Sequence, residues 1–151
     1  PRPSAEIALI KAAGDKTFPV VERGEVQTRE VDRGYCKMLM PFKPNINHVG
    51  IMYAGALYTI AELPGGTIYL TSFDTKKFYP IVKDMSIRFR RPATTDITVE
   101  VTLSEEEIAR IEKTTEEVGK CDFEWDVELK DANGEVVAIS HNVYQMRKIG
   151  A

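Results

Sequence analysis

Cysteine is scarce in this chain: Cys36 and Cys121 stand far apart and without CxxC spacing, so neither a zinc site nor a disulfide framework is indicated. No apolar run approaches the roughly 20 residues that a membrane-spanning helix needs, and the opening PRPSAEIALIKAAGDKTF lacks the apolar core and cleavage site of a secretory signal. Basic charge is not in excess either. Lys and Arg number 20 against 23 Asp and Glu, a net charge of −3, which gives no general attraction to nucleic acid or to anionic membranes. Internal repeats, linkers and low-complexity tracts are also missing. These absences point to a reduced, cytoplasmic protein with no resident metal or cofactor.

What remains is ordinary globular material: 151 residues, 43% hydrophobic and 28% charged, enough for one domain with a proper core. SAEIALIKAA (4–13) reads as a short N-terminal helix, with Ser4 to cap it and Gly14 to end it. EVQTREVD (25–32) and YCKMLMPFKP (35–44) read as extended, with Gly34 as the turn between them. TIYLTSF (67–73) has the β-branched and aromatic content of a strand. MSIRFRR (85–91) and DITVEVTL (96–103) alternate apolar and polar residues, the period of a half-buried strand. SEEEIARIEKTTEEVG (104–119) predicts an exposed helix, with Ser104 and Glu107 in capping-box spacing and Gly119 at its end. CDFEWDVELK (121–130), the turn signal DANGE and VVAISHNVYQMR (136–147) predict two long paired strands. One helix among five or six mostly antiparallel strands is an α+β fold.

That helix is expected over about residues 51–63, ended by Pro64, Gly65 and Gly66. It is apolar nearly all round, so a sheet should wrap it. Ile51, Gly55, Tyr58 and Glu62 fall on one stripe. Gly55 costs about 1 kcal/mol relative to alanine inside a helix, less in its first turn, and its benefit is close approach of something to the backbone. Glu62 lies in the last turn, where the helix dipole disfavours a carboxylate; it either reaches solvent or occupies a pocket that raises its pKa. The helix start offers free N–H groups able to polarise a carbonyl oxygen, with Asn47 just before it. Acid and oxyanion site are two turns apart, too far for one small reacting group. Two copies of the helix meeting antiparallel in a dimer would remove that objection.

The spacing Asn47, Gly50, Gly55 and Glu62, together with IRFRRPATTDITVEV, resembles the hotdog-fold thioesterases of the phenylacetate-pathway type, in which an antiparallel sheet wraps a long helix. The likeness covers roughly residues 20 to 147, and LSEEEIARIE and GKCDFEW resemble an uncharacterised branch of that superfamily. The resemblance implies one hotdog domain over 1–151, a homodimer or homotetramer, and hydrolysis of a fatty or aromatic acyl-CoA, coenzyme A being part of the substrate. It implies that Glu62 is general base or nucleophile. The N–H of Gly55, with that of Ala54, would hold the oxyanion, and Asn47 would position thioester or water. Tyr58 would line the acyl channel. Tyr53 and Ala54 stand where the pattern has His-Gly, and Glu62 where aspartate is usual. A non-catalytic acyl-thioester or fatty-acyl binding protein on the same fold is therefore the other reading. A dehydratase of the superfamily is disfavoured, since the helix offers no histidine.

Arg88, Arg90 and Arg91 form the densest basic group. They suit the phosphates of coenzyme A, although solvated strand arginines are commoner. His48 adjoins the helix start as a secondary acid or base, or as a loop histidine with a backbone partner. His141 beside Ser140 has no acid at motif spacing to complete a triad. Cys36, Cys121 and Trp125 read as packing residues.

Overall fold

Alternation of apolar and polar side chains places the strands in the computed structural model, which describes residues 19–150. The helix expected over 4–13 lies outside the described residues. Six strands form one sheet: β1 (Gln27–Asp32), β2 (Tyr35–Met40), β3 (Phe78–Phe89), β4 (Ile97–Thr102), β5 (Lys120–Lys130) and β6 (Val136–Lys148). Their spatial order is β1-β2-β4-β5-β6-β3, and every neighbouring pair is antiparallel. The buried faces of β2, β4 and β5 carry Cys36, Met38 and Met40, then Ile97, Val99 and Val101, then Cys121, Phe123, Val127 and Leu129. Between β4 and β5 a single pair, Thr98 with Lys130, is in register. The fold is α+β, a sheet around a helix, as the hotdog resemblance implies.

Among the described residues four α-helices accompany the sheet, α1 (Pro19–Arg23), α2 (Ala54–Glu62), α3 (Pro64–Ser72) and α4 (Glu105–Val118), with one 3-10 turn at Lys43–Asn45. α4 follows expectation. The Glu107 N–H donates to Ser104 Oγ at 3.1 Å, Gly119 closes the helix in the left-handed region, and Ile108, Ile111 and Thr115 are buried. α2 buries Ala56, Leu57, Ile60 and Ala61.

The central helix departs from the sequence pattern at both ends. It begins at Ala54, not at 51, because residue 51 is in a bend and Met52 and Tyr53 are bonded outside the helix. Met52 bridges to Ile46, the Met52 N–H donates to Ala93 O at 2.9 Å and that of Tyr53 to Asn45 O at 2.8 Å. At the other end Pro64 does not stop the chain from coiling. Leu63 keeps helical angles (φ −54, ψ −39) and Pro64 becomes the first residue of α3, the position where a missing N–H costs nothing. TIYLTSF is consequently helical up to Ser72, not a strand. Thr71 Oγ1 donates to Thr67 O at 3.0 Å, a bond that lets β-branched threonine sit in a helix. Burial of Ile68, Thr67 and Thr71 outweighs the strand propensity of the segment.

β3 is longer than the alternation predicted, beginning at Phe78. Pro80 lies within it, tolerated because β3 is an edge strand and needs no donor on its open side. The register shift between Val82 and Asp84 marks a bulge at Lys83, which breaks the period of two in the sequence.

Gly65 is fixed by close approach. A Cβ there would lie 2.7 Å from Cε1, Cζ and Oη of Tyr144, a buried β6 side chain stacked on Phe123 at 5.4 Å between centroids. Gly65→Ala should therefore lower the unfolding free energy by about 1–3 kcal/mol through overpacking, despite alanine's better helix propensity. Denaturant unfolding checks this, and an unchanged midpoint would mean that the ring moves aside freely.

Candidate active site

The start of α2 is pinned before the helix begins. Asn45 Nδ2 donates to Gly24 O at 3.0 Å and to Pro41 O at 2.8 Å. The loop that follows closes on Asn47, whose Oδ1 accepts from the N–H of Val49 (3.0 Å) and of Ile51 (3.2 Å). Asn47 thus spends its carbonyl oxygen on the loop, which leaves its amide Nδ2 as the group able to reach a ligand. The first helical bonds run from the N–H groups of Ala56 and Leu57 to Tyr53 O, at 2.9 and 3.2 Å. Those of Ala54 and Gly55 precede them and donate to no group among the described residues, the orphan donors of a helix N-terminus.

A cavity of about 300 Å³ opens at this point, lined by Asn47, Ile51, Met52, Ala54, Leu57 and the segment from Phe89 to Ala93. It brings Asn47, Ala54, Arg90 and Arg91 together. Arg91 is paired with Glu135, while the guanidinium of Arg90 has no partner among the described residues. Arg88 is not in the lining. The strand ends at Phe89, and the N–H groups of Arg90 and Arg91 both turn to Val137 O, at 2.8 and 3.2 Å. Arg90 therefore does not continue the alternation with Arg88. His48 is exposed in the loop and outside the lining.

Gly55 is explained by Tyr53. A Cβ at 55 would lie 2.3 Å from Cε2 of the Tyr53 ring, so the ring lies across the glycine, with much of its surface in solvent. Tyr58, one turn on, donates its hydroxyl to Met85 O at 2.7 Å and so ties α2 to the edge strand.

Glu62 lies seven residues beyond Gly55, about 10 Å along the axis at 1.5 Å per residue, and outside the cavity. Its carboxyl is half-buried, with no hydrogen bond or ion pair among the described residues, and burial raises its pKa above the usual glutamate value. The dipole objection weakens here: the negative end of α2 meets the positive end of α3 across Leu63. Spacing gives no sign of two β6 residues at this turn. Asn142 Nδ2 donates to Ala61 O at 3.0 Å, and Tyr144 Oη to Glu62 O at 3.4 Å. Their only trace in sequence is polarity at inward positions of an alternating strand.

The other candidates are accounted for. His141 Nδ1 is 2.6 Å from Asp126 Oδ1, and the two carboxylates beside it, Asp126 first and then Glu124, raise its pKa. Ser140 is buried, and in a strand the side chains of consecutive residues point to opposite faces, so the two form no nucleophile and base. Cys36 and Cys121 are free and buried, and burial pushes the Cys36 thiol up to about 12. Among the described residues no group of three or more His, Cys, Asp or Glu is placed to hold a metal ion, and no helix is long and apolar enough to cross a membrane.

The family model that matches residues 8–144 is described as "Domain of unknown function (DUF4442)". A Pseudomonas aeruginosa protein of unknown function, termed a probable thioesterase, is 44% identical, with 98% of this chain and 97% of that chain covered and a TM-score of 0.92. A Chlorobaculum tepidum protein of unknown function superposes with TM-score 0.78 at 17% identity over 94% of each chain. A mutant thioesterase from Pseudomonas aeruginosa does so with 0.75 at 14% identity over 98% of each. The last two share the fold. No curated protein matches the chain.

A glutamate whose folded pKa exceeds its unfolded value binds its proton more tightly when folded. Its contribution is favourable at low pH and is lost as pH rises from the unfolded value, ~4.3, through the raised folded one. Glu62→Gln should accordingly raise the thermal unfolding midpoint at pH 7, with the gain closing toward pH 4. Equal midpoints at all pH values would place the carboxylate in solvent.

Proposed function

This chain belongs to the DUF4442 family, and we propose that it is a hotdog-fold thioester hydrolase that takes acyl-CoA as its substrate, with a fatty or aromatic acyl group. The observation that carries the proposal is Glu62: half-buried, raised in pKa by desolvation, and without an ion pair among the described residues. A carboxylate placed at such a cost to stability has the character of a general base.

The site is completed by a second copy. The open edge of β3, with Val82 and Phe89 exposed on it and Tyr53 and Tyr58 exposed on α2, is an apolar surface with unpaired backbone groups, which natural sheets cover. Two helices meeting antiparallel bring the Glu62 of one chain to the free N–H groups of Ala54 and Gly55 in the other. Glu62 takes a proton from water as the oxygen attacks the thioester carbonyl. The two N–H groups hold the oxyanion, and collapse expels the thiolate, which recovers the proton from Glu62. Glu62 attacking as nucleophile through an anhydride uses the same geometry. Arg90 at the cavity mouth is the free cation for a coenzyme A phosphate, Asn47 Nδ2 orients the thioester, and Leu57 and Tyr58 border the acyl chain.

One observation favours a non-catalytic acyl-thioester binding protein on this fold: the Tyr53 ring lies over Gly55, beside the donors that hydrolysis needs. Thiol release from short, long and aromatic acyl-CoAs separates the two. The wild type should hydrolyse part of the panel, and Glu62→Gln should lose on the order of a hundredfold or more while remaining a folded dimer. Activity should fall as pH drops through the raised Glu62 pKa. No release from any acyl-CoA by a well-folded wild type would discard hydrolysis and leave the binder.

Arg90→Ala should raise KM for acyl-CoA about two- to fivefold, the scale of an exposed ion pair, and leave KM for the matching acyl-pantetheine unchanged. Equal effects on both would remove Arg90 from phosphate binding.

A further inference from the structure

Proline at position 64 has no N–H to give, so the carbonyl of Ile60, four residues earlier, loses its helical donor. The last turn of α2 is thus short of one internal bond, two residues before the one that bears the carboxylate. β6 bonds the two carbonyls that follow. Asn142, fully buried, donates through Nδ2 to Ala61 O at 3.0 Å and to Tyr144 Oη at 3.0 Å. A backbone carbonyl can only accept, so the bond to Ala61 O fixes which end of the amide carries the hydrogens. Tyr144 Oη, having accepted from Asn142, donates onward to Glu62 O at 3.4 Å. The tyrosine is itself immobilised. Its ring stacks on Phe123, contacts Trp125 at 4.8 Å between centroids, and abuts Gly65. Consecutive carbonyls of α2 are therefore held by two inward-facing side chains of a single strand.

We propose that Asn142 and Tyr144 are positioning residues for Glu62: their hydrogen-bonded relay to Ala61 O and Glu62 O holds the last turn of α2 so that the carboxylate stays in its half-buried place. The inference deepens the proposed hydrolysis and rests on it for its kinetic consequence, while the placement of the carboxylate stands on the relay alone. Neither residue touches the reacting atoms. Without the relay the turn frays at Pro64 and the carboxylate swings to water, where it is an ordinary glutamate. Tyr144→Phe removes only the hydroxyl and keeps the stacked ring; Asn142→Ala removes the bond to Ala61.

The test is a carbon-13 NMR titration of the Glu62 side-chain carboxyl, assigned by its disappearance in Glu62→Gln, in wild type, Tyr144→Phe, Asn142→Ala and Leu129→Ala. Leu129 is buried on β5 away from the turn and controls for loss of stability alone. The wild-type midpoint should lie above the ordinary value of ~4.3, and both relay variants should move toward it while Leu129→Ala does not. Acyl-CoA hydrolysis by Tyr144→Phe should fall on the order of tenfold or more in kcat with KM little changed, as misplacement of a catalytic group gives. A Glu62 midpoint that Tyr144→Phe leaves unmoved overturns the proposal, whatever the fate of Asn142→Ala. A wild type that hydrolyses no acyl-CoA overturns the proposed reaction instead, and the titration still decides the relay.

Discussion

Pro64 interrupts the helical hydrogen-bond ladder inside the concave face of the sheet, where water cannot make up the loss. A buried backbone group without a partner is costly, so the chain that crosses the sheet as α2 and α3 depends on donors from the strands beneath it. Asn142 and Tyr144 bond the next two carbonyls, Ala61 O and Glu62 O, and Gly65 lets the tyrosine come close enough. Tyr58 performs the complementary task on the other flank by bonding to Met85 O. The helix pair is thereby fixed to β6 on one side and to β3 on the other, and both ends of the candidate site inherit their positions from it.

The two ends are built differently. At the start of α2 the loop residues Asn45 and Asn47 bind backbone groups around them, and the helix opens with unpaired N–H groups beside a cavity. At its end a carboxylate is partly withdrawn from water with no counter-charge among the described residues. Neither arrangement favours stability, and both lie along one face of one helix. Sites of chemistry commonly carry such local costs, whereas the rest of the described core, from Met38 to Leu129, follows the ordinary rule of apolar burial.

Much of the fold was legible because its signals are local. Period-two alternation located β4, β5 and the end of β3; Ser104, Glu107 and Gly119 bounded α4. The misread segment, 67–73, has strand-like composition, but its structure was decided by the proline three residues upstream and by burial under the sheet. Pro80 and the bulge at Lys83 hid the first half of β3 in the same way, since an edge position excuses the proline and a bulge cancels the period. The spacing of Asn47, Gly55 and Glu62 put the candidate site on the correct helix. What spacing could not carry was contact at long range: Asn142 and Tyr144 lie about eighty residues from the carbonyls they bind. The purpose of Gly55 was equally hidden, because it answers to the ring of Tyr53, two residues before it.

The seam between β4 and β5 bears on how such a site is held together. One registered pair, Thr98 with Lys130, joins them, while β5 and β6 run together over almost their whole length. Mechanically the sheet is two leaves of three strands, one formed by β1, β2 and β4 and the other by β5, β6 and β3. Along this seam the ladder is at its thinnest. The helix pair is tied to both leaves: α2 to β6 and β3 by the amide and hydroxyl bonds, and α3 to the β1–β2 turn through Ser72, whose Oγ accepts from the Gly34 N–H at 2.8 Å. The helices thus act as a splint across the thinnest ladder in the sheet, and the bonds at the turn that bears the carboxylate are part of what keeps the two leaves in one piece.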